Sequence, residues 1–428
     1  MPIILVLPTT DLLPIEANAC FYKCPLFRIP NIGGQTPKYE KIANYVTFVP
    51  LGIGGAEEVT KWILRRANLI TKNGYSYEKH TVQTPDGYLL NVYRIPNPGK
   101  PAVFLMHGVL ASSADWVVLG KDKALGFLLH DAGFDVWLGN ARGNTNSRRH
   151  ISISPDEPRF WNFSWHEIGV IDLPAMIDHV LNVTKQTSLH YAGHSQGTTS
   201  FFVMLSERPE YNSKISCMHA LAPIAFMGRL KNILLRFAAG QLKEITELVF
   251  SLGLYELLPN NPVVVALSKI LCTTAKQNHE ALCANFLFLI GGYSMKQMNA
   301  SYIPEVVDII PAGASARQLV HYAQEILSSR FCQYDHGEEL NLEKYGQKEP
   351  PDYKISNIRA PVILHYSDND LLSHPVDVKQ LANGLGSRPT MMLVKDPMFN
   401  HFDYTWGKYV HQLVYKNVIS IMKKFLKK

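Results

Sequence analysis

The sequence predicts an α/β fold: a mostly parallel central sheet flanked by helices, with an inserted helical cap. Three observations predict it. Short, wholly apolar runs such as Ala102–Met106 (A-V-F-L-M) read as strands buried on both faces, the usual state in a parallel sheet. These runs alternate with segments of helical periodicity, the signature of strand–helix–strand units. From about Pro223 to Lys344 helical spacing dominates, and the strand rhythm resumes only at Ala360. A chain of 428 residues also exceeds the size at which single cores stop growing, about 250–300 residues. The expected organisation is an N-terminal segment over 1–55, a first core part over 56–222, a cap over 223–345 and a second core part over 346–428.

In chain order, residues 1–55 are rich in Pro and Gly, lack periodicity and read as loop. Ala56–Leu69 has helical spacing, with Val59, Ile63 and Ala67 on one side. Thr84-Pro85-Asp86-Gly87 is a turn signal between expected strands Tyr77–Gln83 and Tyr88–Ile95. The Ala102–Met106 strand, a helix over Leu125–His130 and a strand over Asp135–Leu138 follow. Ser164–Val183 reads as a long helix with Pro174 at a kink, and it delivers the chain to an apolar-leaning run, Leu189–Ala192. After a helix containing Phe201, Phe202, Met204 and Leu205, Cys217–Ala222 is the next strand. In the cap, Leu230, Ile233, Leu234 and Phe237 recur at helical spacing, as do Leu242, Ile245, Val249 and Leu252. Most such residues are expected to pack the cap on the core. Val362–Tyr366, a helix over Pro375–Leu385, Thr390–Val394 and a helix from about Tyr404 complete the core.

The chemistry centres on Gly193-His194-Ser195-Gln196-Gly197. A G-x-S-x-G run between a strand and a helix is a nucleophile elbow, which raises a serine hydroxyl above a sheet on a tight turn. The five-residue pattern alone is weak, arising by chance about 0.15 times in such a chain. Its setting and its partners give it meaning. A serine hydroxyl needs a base to take its proton, and the base needs an acid to fix its tautomer. On this architecture they follow in the order serine, acid, histidine after late strands. Tyr366-Ser367-Asp368-Asn369-Asp370 follows one such strand, and Phe399-Asn400-His401-Phe402-Asp403 follows the next. His401 is the expected base; Asp368 and Asp370 compete as the acid. The tetrahedral intermediate needs two backbone donors. Gln196 N–H is one, and the loop His107-Gly108-Val109 after the Ala102–Met106 strand offers the other. His107 itself is expected to shape that turn rather than to act as a second base.

Bulk properties limit the alternatives. The hydrophobic fraction of 46% and charged fraction of 18% are ordinary for a globular protein, and a net charge of +6 without a basic block before the terminal I-M-K-K-F-L-K-K gives no sign of nucleic-acid binding. That tail reads as a solvated helix end. No run of 18 uninterrupted apolar residues occurs, so no membrane-spanning helix is expected. The six cysteines form no C-x-x-C pair and no Cys/His grouping of zinc-like spacing, so neither a metal nor a cofactor is expected. Cys272 and Cys283 suit a short-loop disulfide, worth about 3 kcal/mol by loop entropy, in an oxidising compartment. Sequons occur at Asn162, Asn182 and Asn299. Pro2–Pro8 and Ala17-Asn18-Ala19 have parts of a leader, but Asp11, Pro14 and Glu16 interrupt it.

The chain resembles the acid lipase family, which includes gastric and lysosomal acid lipases, over roughly residues 56–427. The resemblance rests on Thr84–Tyr88 (T-P-D-G-Y), His107–Ser113 (H-G-V-L-A-S-S), Asp135–Thr145 (D-V-W-L-G-N-A-R-G-N-T), Asp172–Ala175 (D-L-P-A), His190–Thr199 (H-Y-A-G-H-S-Q-G-T-T) and Asn400–Asp403 (N-H-F-D). It implies the α/β-hydrolase fold, Ser195 as nucleophile, His401 as base and, within Asn369-Asp370-Leu371-Leu372, Asp370 as the acid. It further implies oxyanion donors at Val109, where the family usually has leucine, and Gln196. A lid would cover about 260–291, with Phe286, Leu287, Phe288 and Leu289 as candidate walls of an acyl tunnel. A Cys272–Cys283 disulfide is implied as well, and a third family cysteine falls on Gly291. Secretion or lysosomal delivery with glycosylation is expected.

The expected activity is hydrolysis of lipid esters, most of all triacylglycerols, at a lipid–water interface through an acyl-enzyme. Sterol esters are the alternative substrate, and acyl transfer to an acceptor other than water is an alternative outcome. A non-catalytic lipid-binding protein on this fold is expected to lack the nucleophile, acid or base; none is missing.

Overall fold

A computed structural model describes residues 69–259, 287–298 and 302–426, which all fall within one compact unit, residues 55–428. Its centre is an eight-stranded sheet of order β1-β2-β4-β3-β5-β6-β9-β10. The strands are β1 (Glu78–Gln83), β2 (Leu89–Ile95), β3 (Ala102–Met106), β4 (Asp135–Leu138), β5 (Leu189–His194), β6 (Ile215–Leu221), β9 (Val362–Tyr366) and β10 (Thr390–Leu393). β1 and β2 pair antiparallel, as does β2 with β4, and every pairing from β4 to β10 is parallel. β3, β4 and β5 are buried along their whole length, which explains why they read as short apolar runs. The short β7 (Glu256–Leu257) and β8 (Ala314–Ser315) form a separate antiparallel pair that the helical spacing of the cap gave no sign of.

The flanking helices are α1 (Leu125–Asp131), α2 (Leu173–Thr184) and α3 (Gln196–Glu207) before the cap, and α9 (Pro375–Gly384) and α10 (Lys416–Phe425) after it. Between them the cap region contributes α4 (Ile233–Gly240), α5 (Leu242–Ser251), α6 (Ile303–Ile309), α7 (Ala316–Ser328) and α8 (Glu338–Tyr345). Apolar residues cluster on both faces of the sheet. Phe104, Met106, Tyr191, Phe201 and Phe202 belong to one cluster, and Val103, Leu105, Phe127, Phe134 and Val418 to the other. β3 therefore supplies alternate residues to both cores, as strand geometry requires.

One expectation holds with an added detail, and two need correction. The long helix expected over Ser164–Val183 is present as unbroken helical chain over residues 165–184, capped by Ser164, with a π-helical stretch over Ile168–Asp172 that leads directly into α2. Pro174 follows the π-helical stretch directly, and its missing N–H interrupts the helical hydrogen bonding there; Val170 O one turn back accepts from Arg208 Nη1 at 3.2 Å. The terminal helix is broken: Asp403–Trp406 ends at Gly407, and a π-helical stretch over His411–Tyr415 leads into α10. The apolar stripes around α4 and α5 pack on the core only in part: Leu230 is buried in it, and Leu242 and Val249 are half-buried. Ile233, Leu234, Phe237, Ile245 and Leu252 are exposed, and α5 has no buried residue. Helical spacing identifies an apolar side but not the direction it faces.

Most of the Ala56–Leu69 helix, the segment 260–286 with Phe286, Cys272 and Cys283, and the sequon at Asn299 lie outside the described residues. Asn162 and Asn182 lie on the exposed surface. Among the described residues, no helix is long and apolar enough to cross a membrane.

Candidate active site

β5 runs buried into the elbow, and Ser195 turns the chain with φ 51° and ψ −117°. A positive φ on a non-glycine residue is strained, on the order of 1–3 kcal/mol, and persists only where the surroundings enforce it. Here the enforcement is visible. Ser195 N–H donates to Leu221 O at 3.0 Å, and Ser195 O accepts from Thr198 N–H at 2.8 Å and Thr198 Oγ at 2.6 Å. Both glycines of the motif are needed for close approach. A Cβ on Gly193 would lie 2.7 Å from the Gly197 carbonyl carbon, and one on Gly197 would overlap Met106 O. The elbow is thus pressed against the end of β3, where the Gly108 loop begins.

That loop lies beside the serine: a Cβ on Gly108 would be 3.2 Å from Ser195 Cβ. Gln196 opens α3, so its N–H is one of the donors a helix start leaves without a helical acceptor. Among the described residues, neither Val109 N–H nor Gln196 N–H donates to a protein acceptor. The Gln196 side chain is held by the cap, donating from Nε2 to Gln318 Oε1 at 2.6 Å.

His107 braces the same loop. Its Nδ1–H donates to Gly108 O at 2.7 Å, and its Nε2 accepts from Ala141 N–H and Asn144 Nδ2, both at 3.1 Å. Burial lowers its pKa to about 4, so it is neutral and both ring nitrogens are occupied. The segment it leans on is anchored in turn by a buried ion network. Arg142 donates to Asp172 from its backbone N–H at 3.0 Å and from Nε at 2.8 Å, and to Asp86 from Nη1 at 2.6 Å. Its guanidinium also lies 4.1 Å from the Tyr88 ring centroid. Three separated sequence stretches, around Asp86, Arg142 and Asp172, therefore converge to support the loop beside Ser195.

The candidate acid and base come from the loops after β9 and β10. His401 Nδ1 lies 3.0 and 2.9 Å from the two Asp370 oxygens, with both residues buried. Asp370 Oδ1 also accepts from Leu372 N–H and Ser373 N–H, each at 2.8 Å. These donors fix the orientation of the carboxylate, so His401 Nδ1–H donates to it and Nε2 is left as the ring nitrogen with a free lone pair. Asp368 is exposed and takes no part in this contact. No hydrogen bond links Ser195 Oγ to His401 among the described residues; catalytic contacts of this kind commonly close around substrate.

His194, within the same motif, contacts the candidate base. Its Nε2–H donates to the His401 carbonyl at 2.9 Å, and the two ring centroids are 5.0 Å apart. Burial, with the neighbouring His401 adding to it, lowers its pKa to about 3. It therefore acts as a neutral donor tying the residue before the serine to the backbone of the histidine. The only hint in sequence was a polar residue ending a buried strand. Asp403, two residues beyond His401, accepts from Asn400 N–H at 2.7 Å and Ser294 Oγ at 2.5 Å, and burial raises its pKa to about 7. Of the candidate tunnel residues, Phe288 is buried against Tyr293 while Leu289 is exposed.

Comparison with known proteins agrees with this architecture. Residues 67–120 match a family model described as a partial alpha/beta-hydrolase lipase region, and residues 101–259 match the alpha/beta hydrolase fold. Lipase 3 of Drosophila melanogaster is 41% identical over 387 residues, covering 89% of this chain and 98% of that protein. Gastric triacylglycerol lipase of Homo sapiens is 38% identical over 380 residues, covering 86% of this chain and 92% of that protein. A candidate lipase of known structure from Sulfolobus solfataricus superposes with a TM-score of 0.51 at 13% identity, over 81% of this chain and 99% of the other, a likeness of fold alone.

Proposed function

The chain belongs to the acid lipase family of α/β hydrolases and is a hydrolase of lipid carboxylic esters; from that premise we propose that it cleaves triacylglycerols through an acyl-enzyme on Ser195. The observation that supports the assignment most strongly is the buried Asp370–His401 contact on the loops beside the strained Ser195 turn. His401 Nε2 takes the Ser195 hydroxyl proton as Oγ attacks the ester carbonyl carbon. Negative charge then develops on the carbonyl oxygen, where the Val109 and Gln196 N–H groups donate to it. Collapse breaks the bond to the glyceride oxygen, which leaves as an alcohol with the proton from His401. Water attacks the acyl-enzyme with His401 again as base, releasing a fatty acid and restoring Ser195.

The exposed apolar residues of α4 and α5 support contact with a lipid phase, from which an acyl chain must be extracted. The exposed sequons at Asn162 and Asn182 suit a secreted or lysosomal route, with a Cys272–Cys283 disulfide in the same oxidising compartment. Purified protein assayed on triacylglycerols, sterol esters and short soluble esters tests the substrate class. Triacylglycerol turnover well above the others is expected, and a strong preference for sterol esters would refute it.

A further inference from the structure

The loops carrying Asp370 and His401 leave the sheet side by side, but their strand pairing ends early. β9 and β10 pair as far as Leu393 and Tyr366, followed by one hydrogen bond from Val394 N–H to Tyr366 O. Something beyond the sheet must set the distance between acid and base. Residues 289–293, descending from the cap, run between the two loops and bond to both. Gly291 O accepts from Leu371 N–H and from His401 N–H, each at 3.3 Å, and Gly292 O accepts from Asn400 Nδ2 at 2.6 Å. The approach is tight. A Cβ on Gly291 would lie 2.6 Å from the Phe402 ring, and one on Gly292, whose φ is +116°, would overlap the Asn369 carbonyl oxygen.

One side chain joins all three segments. Asn369, adjacent to Asp370, donates from Nδ2 to Tyr293 O at 2.7 Å and to Met398 O at 2.8 Å. An amide nitrogen has two hydrogens, and both are committed, one to the cap strap and one to the base loop.

We propose that Asn369 is a positioning residue for the Asp370–His401 pair, tying the acid loop, the base loop and the 289–293 strap at one point. It touches no reacting atom and acts through the placement of its neighbours. The proposal rests on the catalytic reading of Asp370 and His401. A misplacement of about 1 Å in such a constellation can reduce rate by about 10²-fold.

Two variants test it. Asn369→Ala removes both donors; Asn369→Asp keeps the shape while turning acceptor oxygens toward two carbonyl oxygens. On a short soluble ester, both are expected to lower kcat roughly 10- to 100-fold with KM within about twofold. In the resting enzyme, the downfield proton NMR signal of the His401 Nδ1–H···Asp370 bond is expected to broaden or vanish. A folded variant with kcat within about twofold of wild type and that signal intact would overturn the proposal. Failure of the catalytic reading is separable, because it would show as His401→Ala retaining normal turnover, whereas the NMR signal reports the pairing whatever the activity.

Discussion

The loops around Ser195 and the cap helices α4 and α5 belong to one compact unit but use their residues in opposite ways. Asp370 and His401 are exposed by 0% and 2%, fixed by side-chain and backbone hydrogen bonds from several segments. On α4, Ile233, Leu234 and Phe237 are exposed by 80%, 52% and 72%, with apolar side chains turned to the outside. Catalysis needs groups held to a fraction of an ångström, which burial and hydrogen bonding provide. The lipid contact proposed for these helices needs apolar area, which requires no fixed partner.

The contrast is broken most severely at the serine. Ser195→Ala is expected to reduce ester hydrolysis by about 10⁴- to 10⁶-fold while leaving the thermal midpoint close to wild type, measured by turnover and calorimetry on the same preparation. Asp370→Asn should follow at about 10⁴-fold, because the amide no longer holds His401 in the required tautomer.

Next in size is the ion network behind the oxyanion loop. Asp172→Ala leaves the buried Arg142 guanidinium without its main partner and is expected to destabilise the fold by about 3–5 kcal/mol in denaturant titration. A loss under about 1 kcal/mol would mean that Asp86 alone satisfies Arg142.

Protonation sharpens the comparison further, because the polar groups of the core are titratable and deeply buried. His107 and His190 are lowered by burial to about 4, and His194 and His365 to about 3. Each binds its proton more readily in the unfolded chain. The stability they contribute is full above about pH 6.5 and is lost as pH falls toward 4 and then 3. Burial raises Asp115 to about 8 and Asp403 to about 7. Their contribution is full below about pH 4 and is lost as pH rises through 7 and 8. Asp115→Asn should therefore raise the thermal midpoint relative to wild type at pH 8.5 but not at pH 4. The smallest effect belongs to the cap: Ile233→Ser and Phe237→Ser should shift folding stability by no more than about 0.5 kcal/mol.

The two regions also differ in how far their sequences could be read. β3 and the elbow were legible because a buried parallel strand must be apolar and a strained turn against β3 must place glycines at 193 and 197. Ser195 and His401 could be named as candidates by their order along the chain. Spacing did not decide which of Asp368 and Asp370 meets His401, a choice only the family resemblance implied, because spacing alone does not say where the chain turns inward after Tyr366. That depends on Leu372 and Ser373 presenting their N–H groups to Asp370. The roles of His194 and Asn369 were hidden for a related reason: each bonds to backbone carbonyls far away in sequence, which no side-chain pattern records. That Ile233, Leu234, Phe237, Ile245 and Leu252 face outward could not be read from sequence, because periodicity is the same whether a stripe faces a core or the outside.

The most direct measurement is mass-spectrometric mapping of a fluorophosphonate adduct on the intact protein, with His401→Ala as comparison. The expected result is a single adduct on Ser195 in the wild type, formed orders of magnitude more slowly in His401→Ala. An adduct on another residue, or equal labelling rates in the two proteins, would contradict Ser195 as a nucleophile activated by His401.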